Sequence, residues 1–210
     1  GGRQPLHTTE KLARVAVATG GVDTTLVADI GGGAVWGVAV APDASKIYLA
    51  GYHDAVDGNP AGADYAVLDA ATGRFIPTLS AHPNNSGNVG RRYGQDVVAV
   101  NGLVFWGGSE HVLRVYRASD GALLHSHSTD RGGDFQDLEV VGDRVYGTCH
   151  CYTNTFADYD YWLTHNASPV GVVKAPIKYV AAYSALTGDY LEGFLLDASA
   201  SMHWTPPGSN

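Results

Sequence analysis

The chain has 210 residues, a formal net charge of −8 at pH 7 and 16% charged residues. An acidic balance argues against nucleic acid as a partner, because phosphate binding requires a basic surface. No apolar run approaches the roughly 20 residues of a membrane span, and two cysteines do not make a disulfide framework. With 27 glycines and 12 tyrosines, the composition favours short strands and tight turns, and hence an all-β fold.

The first elements along the chain are a strand pair and then a tight hairpin. Residues 12–23 form two short strands around Gly20-Gly21, and residues 33–51 read as two strands joined at Pro42-Asp43-Ala44-Ser45. The first strand of this hairpin is apolar on both faces, which predicts that both faces are covered. Trp36 begins that strand and is therefore predicted to be buried.

The hairpin pattern recurs twice, and a second strand pair follows each copy. The copies turn at Asn101-Gly102 and at Gly142-Asp143, and Asn-Gly between apolar runs is a strong hairpin signal. The following strand pairs turn at Gly73, Gly121 and Gly188. The repeating unit therefore has four antiparallel strands, A to D, which is the pattern of a β-propeller blade.

These repeats divide the chain into about three and a half blades within a single propeller segment. The predicted units are a half blade at 1–32, blades at 33–80 and 94–128, and a blade at 133–200 that contains a long inserted loop at 152–178. Closed propellers typically have four to eight blades. We therefore expect a segment of a larger propeller that does not close into a ring alone.

The first whole blade carries a family resemblance. Its strand A (Val35-Trp36-Gly37-Val38-Ala39-Val40-Ala41-Pro42-Asp43), its strand B (Ile47-Tyr48-Leu49-Ala50-Gly51) and the turn segment Leu68-Asp69-Ala70-Ala71-Thr72-Gly73 resemble the delta-60-type β-propeller repeat. That repeat occurs in actinobacterial secreted proteins and in minor tail proteins of actinobacterial phages. The resemblance implies a propeller fold in an extracellular, cell-surface or virion-tail setting, and it supplies no catalytic residues.

The connections between strands differ in length in an informative way. The A–B and C–D turns are short, whereas the connections at 52–64, 79–93 and 152–178 are long and are predicted to share one face. Within the last one, aromatic side chains alternate with acids, as a sugar-binding surface requires. The predicted ligand-binding residues are Tyr159, Tyr161, Trp162, Asp158 and Asp160. The alternative is that this loop packs its own aromatics or docks a neighbouring subunit.

The ends of the B strands carry metal-ligand residue types at near-equivalent places. They are His53, Glu110, His111, Cys149, His150 and Cys151. Together with Gln95-Asp96 and Gln136-Asp137 at the starts of A strands, they predict a polar group near the central channel. Such a group can hold a divalent metal, although hydrogen bonding to loop backbones is the simpler interpretation. No other cofactor is predicted.

Two further pairs leave alternatives open. Cys149 and Cys151 point the same way on a strand and can chelate a metal, form a close disulfide or remain free thiols, the last being favoured. His125 and His127 share one face of an outer strand D and are predicted to face solvent.

The function predicted from these patterns is binding and not catalysis. The chain contains no nucleophile–base motif and no phosphate-binding glycine loop. We expect a structural and binding module of a phage tail or a surface protein that contacts other subunits and recognises host or extracellular glycan. The alternative is a propeller enzyme, such as a lyase, hydrolase or quinoprotein-like oxidoreductase, with its site at the channel mouth.

Overall fold

The computed structural model describes residues 11–77, 93–109, 111–129, 133–151, 154–156, 174–177 and 179–194. Within these ranges the chain is all-β, with several antiparallel sheets and one 3-10 turn at Pro60–Gly62. The strands are β1 (Arg14–Val15), β2 (Val22–Asp23), β3 (Ile30–Gly31), β4 (Ala34–Val40), β5 (Lys46–Tyr52), β6 (Ala55–Val56), β7 (Tyr65–Asp69), β8 (Gly94–Val100), β9 (Leu103–Gly108), β10 (Val112–Arg117), β11 (Leu123–Thr129), β12 (Phe135–Val141), β13 (Arg144–Cys149), β14 (Asn154–Phe156), β15 (Lys174–Pro176) and β16 (Val180–Ser184). No helix in the described ranges is long and apolar enough to cross a membrane.

The predicted hairpin turns are confirmed. Asn101 and Gly102 have φ values of 50° and 77°, the left-handed pair that a two-residue hairpin turn requires, and they join β8 to β9. Gly142, with φ of 62°, lies in the turn between β12 and β13. The sequence signal and the backbone geometry therefore agree at both turns.

Three sheets follow the predicted repeats, but within the described ranges only one has four full strands. The second sheet contains β8, β9, β10 and β11 in chain order, as predicted. The first sheet (β4, β5, β7) and the third (β12, β13, β16) have three strands each. In the residues that the structure describes, their expected strand D is represented by the single bridges Leu68↔Phe75 and Tyr183↔Tyr190. In the first sheet this bridge is flanked by the hydrogen bonds from the Asp69 N–H to the Arg74 carbonyl and from the Ile76 N–H to the Val67 carbonyl, and the Phe75 N–H donates to the Asp57 carboxylate.

The second sheet continues beyond β11 with strands from the inserted loop. β14 pairs with β11 through Ser128↔Phe156 and Thr129↔Thr155, and β15 pairs with β14. Because the insertion lies between β13 and β16 in the sequence, a segment from the third repeat completes the second sheet. The result is a six-stranded sheet in the order β15-β14-β11-β10-β9-β8.

The three sheets pack face to face around shared apolar clusters. Tyr48 and Val67 of the first sheet pack against Trp106 and Tyr116 of the second. On its other face, the second sheet packs against the third around Phe105 and its neighbours, which are Leu113, Phe135, Leu138, Val145 and Tyr183. Each buried side chain of this size contributes roughly 1.5–3 kcal/mol of hydrophobic stabilisation.

The first strands of the three sheets lie side by side, and the outer face of β4 is open. β4 contacts β8, and β8 contacts β12. Val97 on β8 is buried against the first sheet, whereas Val38 and Val40 on β4 are 53% and 54% exposed. The prediction that both faces of β4 are covered is therefore wrong. No described strand packs on its outer face.

The N-terminal segment covers the rest of that outer face. β1 and β2 pair through Arg14↔Asp23, and the Arg14 guanidinium donates to the carbonyl of Ala70 at the end of β7. Leu26 and Ile30 are buried against Leu49 and other residues of β5 and β7. This segment therefore shields β5, β7 and the start of β4 at Val35, but it leaves Val38 and Val40 of β4 exposed.

Candidate functional site

A β-bulge recurs near the start of each first strand. In β4 the register runs from Val35↔Gly51 to Gly37↔Ala50, which leaves Trp36 without an opposite residue. The same shift leaves Gln95 in β8 and Gln136 in β12 without an opposite residue. We call Trp36, Gln95 and Gln136 the bulge row. Bulges re-aim side chains and are common beside functional sites.

The first two members of the bulge row each reach the next sheet in the same way. The Trp36 ring meets the Tyr93 ring edge-on at 5.1 Å between centroids, and Tyr93 lies two residues before Gln95. The Gln95 amide donates to Asp134 Oδ2 at 3.4 Å, and Asp134 lies two residues before Gln136. Each of these two side chains therefore reaches from its own sheet to the residue that precedes the first strand of the next sheet.

The bulge row also contacts the ends of the partner strands. Trp36 stacks on Tyr52, the last residue of β5, at 6.3 Å between ring centroids. Gln136 Nε2 lies 3.1 Å from Nε2 of His150, which follows β13. Tyr52 and His150 occupy equivalent positions. Each directly follows the partner-strand residue, Gly51 or Cys149, that pairs with the residue just before the bulge. Trp36 is 55% exposed, so the prediction that it is buried is wrong.

A polar network centred on Asp134 adjoins these aromatic rings. The Asp134 carboxylate lies 3.1 Å from His111 Nε2 and accepts a hydrogen bond from the Tyr93 hydroxyl at 3.3 Å, besides the one from Gln95. Tyr93 belongs to both parts, since its ring also contacts Trp36 and Tyr52. We call the whole group the strand-end cluster; its members are Trp36, Tyr52, Tyr93, Gln95, His111 and Asp134.

The protonation states in the strand-end cluster follow from these contacts. The hydrogen bond with His111 lowers the pKa of the Asp134 carboxyl, and the Tyr93 hydroxyl and the nearby His150 act in the same direction against the effect of burial. Burial, together with the Asp134 charge, raises the pKa of Tyr93. At neutral pH Asp134 is therefore an ionised acceptor and Tyr93 a protonated donor. The cluster presents a carboxylate beside aromatic rings.

Asp96, directly after the second bulge, joins two sheets. Its Oδ2 accepts a hydrogen bond from the backbone N–H of Leu138 in β12 at 2.8 Å. On its other side, a Cβ added to Gly37 would lie 2.7 Å from the Asp96 Cα. Burial is the main cause that raises the pKa of Asp96, and the backbone N–H of Leu138 opposes it. Asp96, which the sequence placed in a polar group near the channel, therefore makes a structural contact between β8 and β12.

The residues predicted as metal ligands are distributed as follows. His53 is fully buried at the end of β5, whereas His150 is exposed and His111 contacts Asp134. Glu110 lies outside the described residues. In the part of the chain that the structure describes, no three His, Cys, Asp or Glu side chains are placed to hold a metal ion.

The two cysteines are bonded to each other. Cys149 and Cys151 form a disulfide with their Cα atoms 5.1 Å apart, and both residues are buried in the cluster between the second and third sheets. The favoured expectation of free thiols is therefore wrong. β13 ends at Cys149 and the chain bends at His150, which brings Cys151 within reach of Cys149.

The histidine pair on β11 also differs from its prediction. His127 is fully buried and its Nε2 lies 2.9 Å from the Gly188 carbonyl oxygen, while His125 Nε2 lies 2.8 Å from that of Thr187. The two rings stack at 5.5 Å. Both face the last turn of the third sheet instead of solvent, because that turn packs over β11.

The predicted ligand-binding residues of the inserted loop lie outside the described residues. They are Tyr159, Tyr161, Trp162, Asp158 and Asp160. The structure instead brings together Tyr93 and Asp134, which the sequence did not single out. Both directly precede a first strand, and that shared position beside Gln95 and Gln136 was the signal that could have found them.

The comparisons with known proteins found likeness in structure and none in sequence. No protein-family model and no curated protein matches the sequence. The computationally designed Ika8 protein is similar in structure, with 12% identity and a TM-score of 0.36 over 75% of this chain and 60% of that one. BamB from Moraxella catarrhalis gives 14% identity and a TM-score of 0.30 over 76% of this chain and 61% of that one. The chain thus spans about three fifths of each, and TM-scores this low carry no argument.

Proposed function

We propose that this chain is a segment of a β-propeller and acts as a binding module. Three antiparallel sheets that pack face to face, with their first strands adjacent, support this interpretation. Radial packing of such sheets around an axis is the propeller architecture. In this arrangement β4, β8 and β12 line the channel, and the strand-end cluster lies at one mouth of it.

The proposed ligand is a glycan bound at the strand-end cluster. The observation that carries this proposal is an exposed indole, Trp36, which contacts the rings of Tyr52 and Tyr93. The Tyr93 hydroxyl in turn donates to the ionised Asp134. Aromatic faces stack on the C–H faces of sugar rings, and amide and carboxylate groups bind their hydroxyls. The aromatic and acidic residues of the inserted loop remain a second predicted contact.

The proposed setting is a phage tail or an extracellular or cell-surface protein. It rests on the resemblance of the repeats to the delta-60-type propeller repeat. Other subunits of such an assembly are the proposed protein partners. The proposal assigns the module no catalytic step.

A glycan array followed by calorimetry tests the proposal. We expect the full chain to bind one class of glycan, and Trp36→Ala to reduce that affinity at least about tenfold, the effect of losing roughly 1.4 kcal/mol. Leu186→Ala removes another exposed apolar side chain, 64% exposed, and should leave the affinity unchanged. Equal binding by the wild type and Trp36→Ala would contradict the site.

A further inference from the structure

The β1–β2 hairpin has the same turn as the outer strand pair of each sheet. In every sheet the residue that ends strand C donates its N–H to the carbonyl five residues later and accepts from the N–H four residues later. These residues are Asp69, Arg117 and Ser184. Ala16 makes the same two bonds, to Gly21 and from Gly20, and Gly20 has a φ of 68°. β1 and β2 therefore correspond to strands C and D of a further repeat.

The contact from this hairpin to the first sheet also repeats. In each of the three sheets, an alanine follows the residue that ends strand C, and its carbonyl accepts a side-chain hydrogen bond from the preceding repeat. The donors and their acceptors are Arg14 with Ala70, Lys46 with Ala118 and Asn101 with Ala185. The β1–β2 hairpin therefore precedes the first sheet as the first sheet precedes the second.

β1 has a neighbouring strand on one side only in the described part of the chain. β7, β10 and β16 each pair with strand B of their own sheet, whereas β1 pairs with β2 alone. The N–H of Ala70 also donates to Ser45 in the A–B turn of its sheet, and that of Ala185 donates to Asp143. Val17 occupies the position of these alanines and is fully exposed. The inner strand pair of this repeat therefore has no counterpart among the described residues.

The exposed valines of β4 lie beside the same gap. The register places Val38 at the position of Val97 in β8 and of Leu138 in β12. Val97 and Leu138 are 2% and 3% exposed because each packs against the preceding sheet. Val38 and Val40 are 53% and 54% exposed. We call the open edge of β1 together with Val38 and Val40 the acceptor site.

The third sheet shows which kind of structure fits the acceptor site. There, Leu138 packs in one cluster with Val98, Val100 and Phe105 of the β8–β9 hairpin, which belongs to the preceding sheet. An equivalent hairpin at the acceptor site covers Val38 and Val40 with its first strand and pairs its second strand with β1. Backbone pairing at an open strand edge supplies affinity, and alternate apolar side chains supply specificity.

The ends of this chain do not provide such a hairpin. β8 and β9 have 7 and 6 residues and a turn between them, which is more than residues 1–10 contain. Residues 195–210 include Pro206 and Pro207, which cannot donate to a ladder.

We propose that the acceptor site binds an apolar β-hairpin of a partner chain, which completes the sheet begun by β1 and β2. This inference rests on the proposed propeller segment and specifies one of its protein partners. It is independent of the glycan, because the contacts of the hairpin are Val38, Val40 and the backbone of β1.

A hairpin peptide tests the proposal on the full chain. The probe is a synthetic peptide with the sequence of residues 94–108, whose binding is measured by calorimetry and located by hydrogen exchange. We expect exchange to slow in residues 11–16 and 34–40. Val38→Lys should weaken binding at least about tenfold, because it places a charge beneath the hairpin. Leu186→Lys, at another exposed apolar position, should bind as the wild type does. Equal binding by Val38→Lys and the wild type, or unchanged exchange in both segments, overturns the proposal.

A fused variant removes the requirement that the peptide fold alone. Residues 94–106 are joined ahead of Gly1, so that Gly1-Gly2 stand where Gly107-Gly108 end β9. If the fused hairpin protects β1 and β4 but the free peptide does not bind, the hairpin belongs to the same chain and the partner is overturned. If neither protects them, the acceptor site is overturned as well. The glycan array on the wild type decides the proposed glycan binding separately.

Discussion

At the scale of single residues, the two tryptophans of the described ranges show how neighbours decide the role of a side chain. Trp106 on β9 is 5% exposed and contacts Tyr48, Tyr65 and Tyr116 between two sheets. Trp36 lies on a bulge at the open end of β4 and keeps more than half of its surface exposed. The first is part of the core, and the second is available to a ligand.

Alanine substitutions at the two tryptophans should therefore have very different effects on stability. Trp106→Ala should lower the free energy of unfolding by about 3–5 kcal/mol, as large truncations in a core do. Trp36→Ala should cost less than about 1 kcal/mol. Urea unfolding monitored by circular dichroism measures both, and a loss at Trp36 as large as that at Trp106 would show that the indole is structural.

His53 should make the fold sensitive to mild acid. Its imidazole is fully buried, and burial lowers its pKa although the backbone of Gly62 and Ala34 acts in the opposite direction. The unfolded chain therefore binds a proton at His53 more readily than the folded chain does. Stability that is fully present above the unfolded pKa of about 6.5 is lost as the pH falls below that value.

Replacing this histidine should remove that part of the pH dependence. Between about pH 7.5 and pH 5.5, the pH crosses the unfolded pKa of histidine and protonation begins. Over this range we expect the free energy of unfolding to fall less in His53→Leu than in the wild type. Denaturant titrations at the two pH values give the comparison. Parallel losses in both proteins would mean that His53 does not titrate differently in the folded state.

At the scale of elements, the repeated bulge explains what the sequence could and could not predict. The Asn101-Gly102 turn and the apolar alternation predict β8 and β9 correctly, because turn chemistry and burial act locally. A bulge, by contrast, shifts the alternation by one residue without a local signal. The sequence therefore placed Gln95 and Gln136 near a site but predicted the wrong environment for Trp36.

The sequence of a strand also does not show which other strands will pack against it. Val38 and Val97 occupy equivalent positions, yet Val38 is exposed and Val97 is buried. In the described part of the chain, β8 lies between β4 and β12, whereas β4 has a first strand beside it only at β8. The same limit applies to His127, whose burial depends on the turn around Gly188 more than 60 residues away. Long-range contacts of this kind are not encoded in local periodicity.

Asp96 should be a stabilising link between the second and third sheets. Asp96→Ala removes the acceptor of the Leu138 N–H and should cost about 1–3 kcal/mol, as an unsatisfied buried donor does. Asp137 occupies the equivalent place in β12 but is exposed, so Asp137→Ala should change stability by less than about 0.5 kcal/mol. Equal effects of the two substitutions in thermal or urea unfolding would contradict this role.

At the scale of the whole molecule, the β14–β15 hairpin ties two repeats together. β14 has partners on both sides, β11 and β15, so its backbone cannot lose an N–H without breaking a ladder. Sequence reasoning treated residues 152–178 as a loop, because an insertion between strands carries no sign of the sheet it joins. The second and third sheets are therefore expected to unfold together.

A proline in β14 should uncouple them. Thr155→Pro removes a backbone donor from β14, which lies between β11 and β15, and should lower stability by about 1–3 kcal/mol. It should also speed hydrogen exchange in β11, whereas Thr155→Ser keeps the N–H and should exchange as the wild type does. If Thr155→Pro left exchange in β11 unchanged, the pairing of β11 with β14 would contribute nothing to its protection.

The same hairpin gives the chain an uneven resistance to mechanical force. Pulling the second sheet away from the third breaks backbone hydrogen bonds between β11 and β14 as well as the Asp96 contact. Between the first and second sheets, the described residues offer apolar packing and side-chain bonds such as that from Lys46 Nζ to the Ala118 carbonyl. From the contacts of the described residues, we therefore expect the chain under tension to yield first between its first and second sheets, where Trp36 meets Tyr93.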